Sequence, residues 1–147
     1  MQLKFLVKGK PPKKGTASIW SKKSKQSELV FNLRSKALDA KKEKGFQDYF
    51  RDNIHLELKV FSSFITYEIR HKHVGDLDAF IAGVFEALQP AARNKTLIYD
   101  PIFETNPEIE PSIPLIIADD SQIVSVKAEK IKSKSEYYTV KIKPVKT

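Results

Sequence analysis

The sequence predicts an α+β fold: a single small domain with a mixed sheet, an N-terminal strand, two main helices and a C-terminal β-hairpin. The chain has 147 residues, of which 41% are hydrophobic, and this suffices for one packed core but not for two. Alternating apolar residues at both ends of the chain indicate strands, and two stretches between them have helical periodicity. We therefore predict one domain over residues 1–147.

The strands are indicated by a period of two. Apolar and polar residues alternate over 3–7 and again over 56–60, as expected of strands with one face in the core. The same alternation occurs over 124–128 and 138–142, and the residues between them, 132–136, are polar. Two such strands joined by a short polar stretch predict a hairpin.

The helices are indicated by apolar residues three or four positions apart. The first covers 27–44, and Gly45 suits a left-handed cap that Phe46 closes with an apolar contact. The second runs from 77 to 88 and is ended by Pro90, with Asp76 at its N-cap position.

The segment 89–117 holds five of the eight prolines. We interpret it as a Pro-rich insertion, because a loop of this length in a compact domain is usually functional or mobile.

Charge limits the function classes. Lys and Arg number 26 against 18 Asp and Glu, a formal net charge of +8, which favours a partner that carries phosphate or another acidic surface. The alternative is that the excess only maintains solubility. The absence of Cys excludes disulfides and thiolate metal sites. Without a signal sequence or a long apolar run, we expect a cytoplasmic protein with no membrane partner.

Two acidic groups suggest a metal site. Asp76 and Asp78 begin the second helix, and Asp119 and Asp120 precede a strand. Mg²⁺ prefers oxygen ligands, and it can polarise a phosphate and activate a water for phosphodiester hydrolysis. We therefore predict Asp76, Asp78 and Asp120 as ligands of Mg²⁺, with Mn²⁺ possible. The alternative is structural, because acidic residues also stabilise helix starts and turns.

Other chemistry has less support. His71 and His73, with Asp76 or Asp78, form an alternative set that Zn²⁺ or Mn²⁺ would accept. A serine triad lacks a nucleophile elbow, and no glycine-rich phosphate loop is present. Trp20, among lysines, suits base stacking, although packing in the core is the commoner role.

Several short motifs of this chain occur in the same order as in a known protein family. The chain resembles the RusA-like Holliday junction endodeoxyribonucleases over nearly its whole length. The motifs that carry the resemblance are Gly9-Lys10-Pro11-Pro12-Lys13-Lys14-Gly15, Asp76-Leu77-Asp78, Phe85-Glu86-Ala87-Leu88, Asp119-Asp120-Ser121-Gln122-Ile123-Val124 and Tyr137-Tyr138-Thr139-Val140-Lys141-Ile142. The resemblance implies a homodimer that cuts branched DNA with Mg²⁺ held by three aspartates, which correspond to Asp76, Asp78 and Asp120.

The chain departs from this family at two positions. Ala79 stands where the family usually has Asn, and Ala82 stands where it often has a catalytic lysine. Two other interpretations therefore stay open: a DNA-binding protein of the same fold with impaired catalysis, and a small basic protein that binds an acidic protein. The basic residues predicted to contact DNA are Lys10, Lys13, Lys14, Arg70 and Lys72, and all of these except Lys10 are candidates to replace the missing cation.

Overall fold

In the part of the chain that the structure describes, four strands form one sheet, and two helices pack on one of its faces. The computed structural model describes residues 1–67, 73–92 and 97–145. The main elements are β1 (Leu3–Lys8), α1 (Ser27–Glu43), β2 (Ile54–Ser62), α2 (Leu77–Leu88), β3 (Ile123–Lys132) and β4 (Tyr137–Pro144). The predicted α+β class, the mixed sheet and both helices are confirmed.

The order of strands in the sheet is β1-β4-β2-β3. β4 is antiparallel to both of its neighbours, whereas β2 and β3 are parallel. The predicted C-terminal strands are both present, but the predicted hairpin pairing is wrong because β2 lies between them. The connection 133–136 crosses the end of β2, where Ser133 N donates to Ser62 O at 3.0 Å. Alternation identified the strands, but a period of two does not specify which strand pairs with which.

The core lies between the sheet and the helices. Every second residue of β2 is buried, because this central strand has one face under the helices. α1 packs against β1, and α2 packs against β3. The predicted cap of α1 is also confirmed: Gly45 has φ of 65°, and Phe46 N donates to Lys41 O at 2.9 Å.

The lysine-bearing loop after β1 is packed tightly against α2. A Cβ atom added to Gly83 would lie 2.1 Å from Pro12 O, so a larger residue does not fit there. Next to this contact, Lys14 N donates to Ala79 O at 3.1 Å. The loop therefore follows the helix surface and is held there by the backbone.

The Pro-rich segment is part of the folded core over its described residues. It contains two short 3₁₀ turns, Pro101–Thr105 and Pro107–Ile109, which bury Phe103 and Ile109. The side chain of Arg34 on α1 is fully buried and donates to five backbone carbonyls. These acceptors belong to Ala87, Gln89, Ile109, Glu110 and Ile113. One arginine thus ties the C-terminal end of α2 to the Pro-rich segment.

Candidate active site

The two acidic groups lie at opposite ends of α2. Asp76 immediately precedes the helix and Asp78 is in its first turn. At the other end, Gln89 is the C-cap residue, and its Oε1 accepts a hydrogen bond of 2.8 Å from Asp120 N. A rise of 1.5 Å per residue places Asp78 and Gln89 about 16 Å apart.

The three predicted ligands consequently do not meet within one chain. Within 1–67, 73–92 and 97–145, no three His, Cys, Asp or Glu side chains form a group that could hold a metal ion. The reason is the parallel pairing of β2 and β3. Asp76 follows the C-terminal end of β2, and Asp120 precedes the N-terminal end of β3. Because the two strands are parallel, these positions lie at opposite ends of the strands.

The carboxylates at the start of α2 are on the surface. Asp76 and Asp78 are both exposed. Asp76 makes no side-chain capping hydrogen bond, and Asp78 Oδ1 accepts one of 2.9 Å from Ala79 N. The Asp76 carboxylate therefore does not cap the helix, which was the structural alternative for this residue.

Asp119 and Asp120 differ in their roles. The Asp119 side chain caps the turn Asp120–Gln122 by accepting from Ser121 N at 3.1 Å and from the Ser121 hydroxyl. The hydrogen bond from the Ser121 hydroxyl, followed by that from its amide, lowers the pKa of Asp119. Gln122 Nε2 anchors the turn by donating to Phe50 O at 2.7 Å. Asp119 thus shapes the turn, and Asp120 is presented on its exposed surface.

A cavity of about 640 Å³ lies beside Asp120, between the loop after β1 and the C-terminal end of α2. Among the residues that the structure describes, its charged lining consists of Lys14, Glu86, Asp119 and Asp120. Lys14 Nζ lies 3.0 Å from Glu86 Oε1. The hydrogen bond and charge of Glu86, with a smaller effect of Asp120, raise the pKa of Lys14. Over its described lining, the cavity therefore combines the protonated amine of Lys14 with three carboxylates.

Sequence reasoning did not single out Glu86 or Gln89 as site residues. Glu86 is the only charged residue of α2 after its first turn, and this was a usable signal. Gln89 carried no signal, because its role depends on the position of Asp120 across the cavity.

The structure describes only some of the residues that are predicted to contact DNA. Lys10 and Lys13 are exposed on the loop after β1, and Lys13 N is fixed by a hydrogen bond of 2.9 Å to Gln26 Oε1. Arg70 and Lys72 lie outside the described residues, as does His71 of the alternative metal set. His73 is described, and its ring lies 6.1 Å from the ring of Tyr67 in an edge-on arrangement.

Trp20 belongs to the core. Its side chain is 4% exposed, with the ring of Phe103 at 5.6 Å and the guanidinium of Arg34 at 5.2 Å. Packing in the core, the commoner of the two roles considered for Trp20, is therefore confirmed.

Comparisons with known proteins identify no relative: no model of a protein family matches this chain, and neither does any curated protein. The resemblance to RusA-like nucleases accordingly stays a prediction that rests on the ordered motifs. Among the helices of the described residues, none has both the length and the apolar character required to span a membrane.

Proposed function

We propose that this protein is a divalent-metal-dependent endonuclease of branched DNA that acts as a two-fold homodimer, with each active site built from both chains. Asp76 and Asp78 would come from one chain and Asp120 from the other. The observation that carries the proposal is the position of two acidic groups at opposite ends of one apolar helix. Antiparallel packing of this helix on its symmetry copy would bring unlike ends together, twice in each dimer.

Exposed apolar residues support such a dimer. On the edge strand β3, Val124 is 50% exposed and Val126 is 43% exposed. On α2, which packs beside β3, Leu77, Ile81 and Phe85 are only half-buried, and their spacing of four places them on one helix face. Apolar residues exposed on neighbouring elements are typical of an interface.

The ligand types also suit the proposal. Mg²⁺ is commonly held by one or two carboxylates, with water and substrate phosphate completing its octahedron. When bound, the ion would supply a Lewis acid for the phosphate and a water of lowered pKa. Asp76, Asp78 and Asp120 are exposed, so their oxygens are accessible to an ion and to DNA.

Lys14 is the residue proposed to replace the family's helix lysine, which is missing at Ala82. It is anchored through its backbone to Ala79 O and lies in the cavity beside Asp120. Because its pKa is raised, Lys14 is protonated at neutral pH and can neutralise a phosphate oxygen.

The proposal is tested with a synthetic four-way junction. Mg²⁺ or Mn²⁺ should support incision by the wild-type protein, and Asp78→Asn or Asp120→Asn should abolish incision while binding persists. The control is Asp39→Asn, an exposed change on α1, which should leave incision unchanged. Incision that survives both ligand substitutions would show that the proposed site is wrong.

A second candidate function is junction binding without cleavage, which Ala79 and Ala82 favour because they remove two groups that the resembled family uses. This function predicts salt-sensitive binding of the junction and intact DNA with every divalent cation.

A further inference from the structure

The face of the sheet that points away from the helices is open as far as the described residues are concerned. The residues of β1 that face the helices, Leu3, Phe5 and Val7, are at most 7% exposed. The alternate residues Lys4 and Lys8 are exposed. No helix among the described residues packs on this second face, since α1 and α2 occupy the first.

The strand register fixes which side chains share the open face. They form four rows across the sheet, because residues paired in register lie side by side. The rows are Lys8, Tyr137, Phe61 and Ile131; Leu6, Thr139, Lys59 and Glu129; Lys4, Lys141, Glu57 and Lys127; and Lys143, His55 and Ser125. Aromatic and aliphatic groups are concentrated in the first row, where the rings of Phe61 and Tyr137 stack at 4.4 Å.

The other rows make this face strongly basic. The four rows together contain six lysines and two glutamates. Glu57 lies between two of these lysines. Desolvation acts to raise its pKa, but Lys141, a hydrogen bond from His55 and Lys127 outweigh that effect and lower it. The negative charge of Glu57 is therefore compensated locally, and the face as a whole presents an excess of four positive charges.

The dimensions of the basic face suit double-stranded DNA. Neighbouring strands lie about 4.8 Å apart, so Lys4 on β1 and Lys127 on β3 are separated by roughly 14 Å. This is comparable with the width of the major groove, about 12 Å, across which two phosphate backbones face each other.

We propose that the open face of the sheet is a second DNA-binding surface, which holds the phosphate backbone of a duplex arm through Lys4, Lys127 and Lys141. The inference rests on the proposed function for its choice of DNA among polyanions. Duplex DNA carries one negative charge per about 1.7 Å of its axis, so a flat array of lysines gains affinity by releasing counterions and reads no sequence. The surface lies on the opposite side of the sheet from α2 and would bind an arm away from the point of cleavage.

The test measures binding of a 30-base-pair duplex in EDTA over a range of salt concentrations. The variant combines Lys4→Gln, Lys127→Gln and Lys141→Gln. The matched control removes three exposed lysines elsewhere, Lys23, Lys36 and Lys44. The logarithm of the binding constant falls linearly with the logarithm of the salt concentration, and each lost phosphate contact makes this slope less negative by about 0.9. The face variant should therefore have a slope that is smaller in magnitude by roughly 2 to 3. In the control variant, the magnitude of the slope should fall by less than about 1.

Equal slopes in the face variant and the control would overturn the inference. So would tighter binding of poly-glutamate than of DNA by the wild-type protein, which would assign the face to an acidic protein. If the first variant does not fold, the double change of Lys4 and Lys127 to Gln removes only exposed side chains and should reduce the magnitude of the slope by roughly 2. Because the assay contains no metal and no junction, failure of the nuclease proposal leaves its outcome unaffected.

Discussion

At the scale of single residues, buried polar groups hold the site region together. Arg34 uses all five of its N–H groups on carbonyl oxygens, over distances of 2.8 to 3.4 Å. Burial lowers the pKa of Arg34 to about 10, so the side chain remains charged at neutral pH. Two of its acceptors, Ala87 O and Gln89 O, are at the C-terminal end of α2, where a cation also complements the helix dipole.

We expect Arg34→Met to destabilise the protein by about 3 to 5 kcal/mol, because the substitution leaves several buried carbonyls without a donor. Denaturant unfolding measures this, with the exposed Lys36→Met on the same helix as control, expected within about 0.5 kcal/mol of wild type. A loss below about 1 kcal/mol for Arg34→Met would contradict the role assigned to Arg34.

Asp100 gives the stability a defined dependence on pH. Ser27 Oγ donates to Asp100 Oδ2 at 2.5 Å and Ile102 N donates to Oδ1 at 3.0 Å, and these bonds lower the pKa of Asp100. A depressed carboxylate pKa adds stability above the unfolded-state value, about 3.9, and this contribution is lost as pH falls through the folded-state pKa.

Asp100→Asn should therefore lower the melting temperature at pH 7, and the difference from wild type should shrink as the pH is lowered toward 2. Melting curves across this range provide the measurement, with the exposed Asp39→Asn as control. If the difference in melting temperature between Asp100→Asn and wild type stays constant down to pH 2, the ionised Asp100 carboxylate is not the source of the stabilisation.

At the scale of elements, the contact between α2 and the loop after β1 positions Lys14. Gly83→Ala should raise helix propensity by about 1 kcal/mol, but its methyl group would collide with Pro12 O, and such overpacking costs typically about 1 to 3 kcal/mol. We expect net destabilisation and weaker junction incision. Gly15→Ala is the control, because no atom lies within 4 Å of its added Cβ. Stabilisation by Gly83→Ala would show that the loop moves away at no cost.

The individual helices and strands were predictable from the sequence, but the pairing of the strands was not. Local periodicity was sufficient for β1, α1, β2 and α2, since each signal is contained in the residues of its own element. The pairing of β3 was not predictable in this way, because it depends on contacts with β2, about seventy residues earlier. The position of Asp120 was not predictable for the same reason: because β3 is parallel to β2, Asp120 lies at the opposite end of these two strands from Asp76.

At the scale of the whole molecule, the proposed active site exists only in a dimer. Val126→Lys would place two like charges near a two-fold axis, so sedimentation should show a shift toward monomer, and incision should fall with it. The control is Leu6→Lys, an apolar residue that is 48% exposed and lies on the open face of the sheet. If Val126→Lys remains dimeric and active, the interface is elsewhere.

The most direct measurement mixes two inactive variants, Asp78→Asn and Asp120→Asn, and follows junction incision after the chains have exchanged. In a site built from both chains, a mixed dimer has one site with both ligand substitutions and one intact site. Random exchange should therefore restore roughly one quarter of the wild-type sites, visible as single-strand nicks. A mixture of freely exchanging chains that stays as inactive as either variant alone would contradict a shared active site.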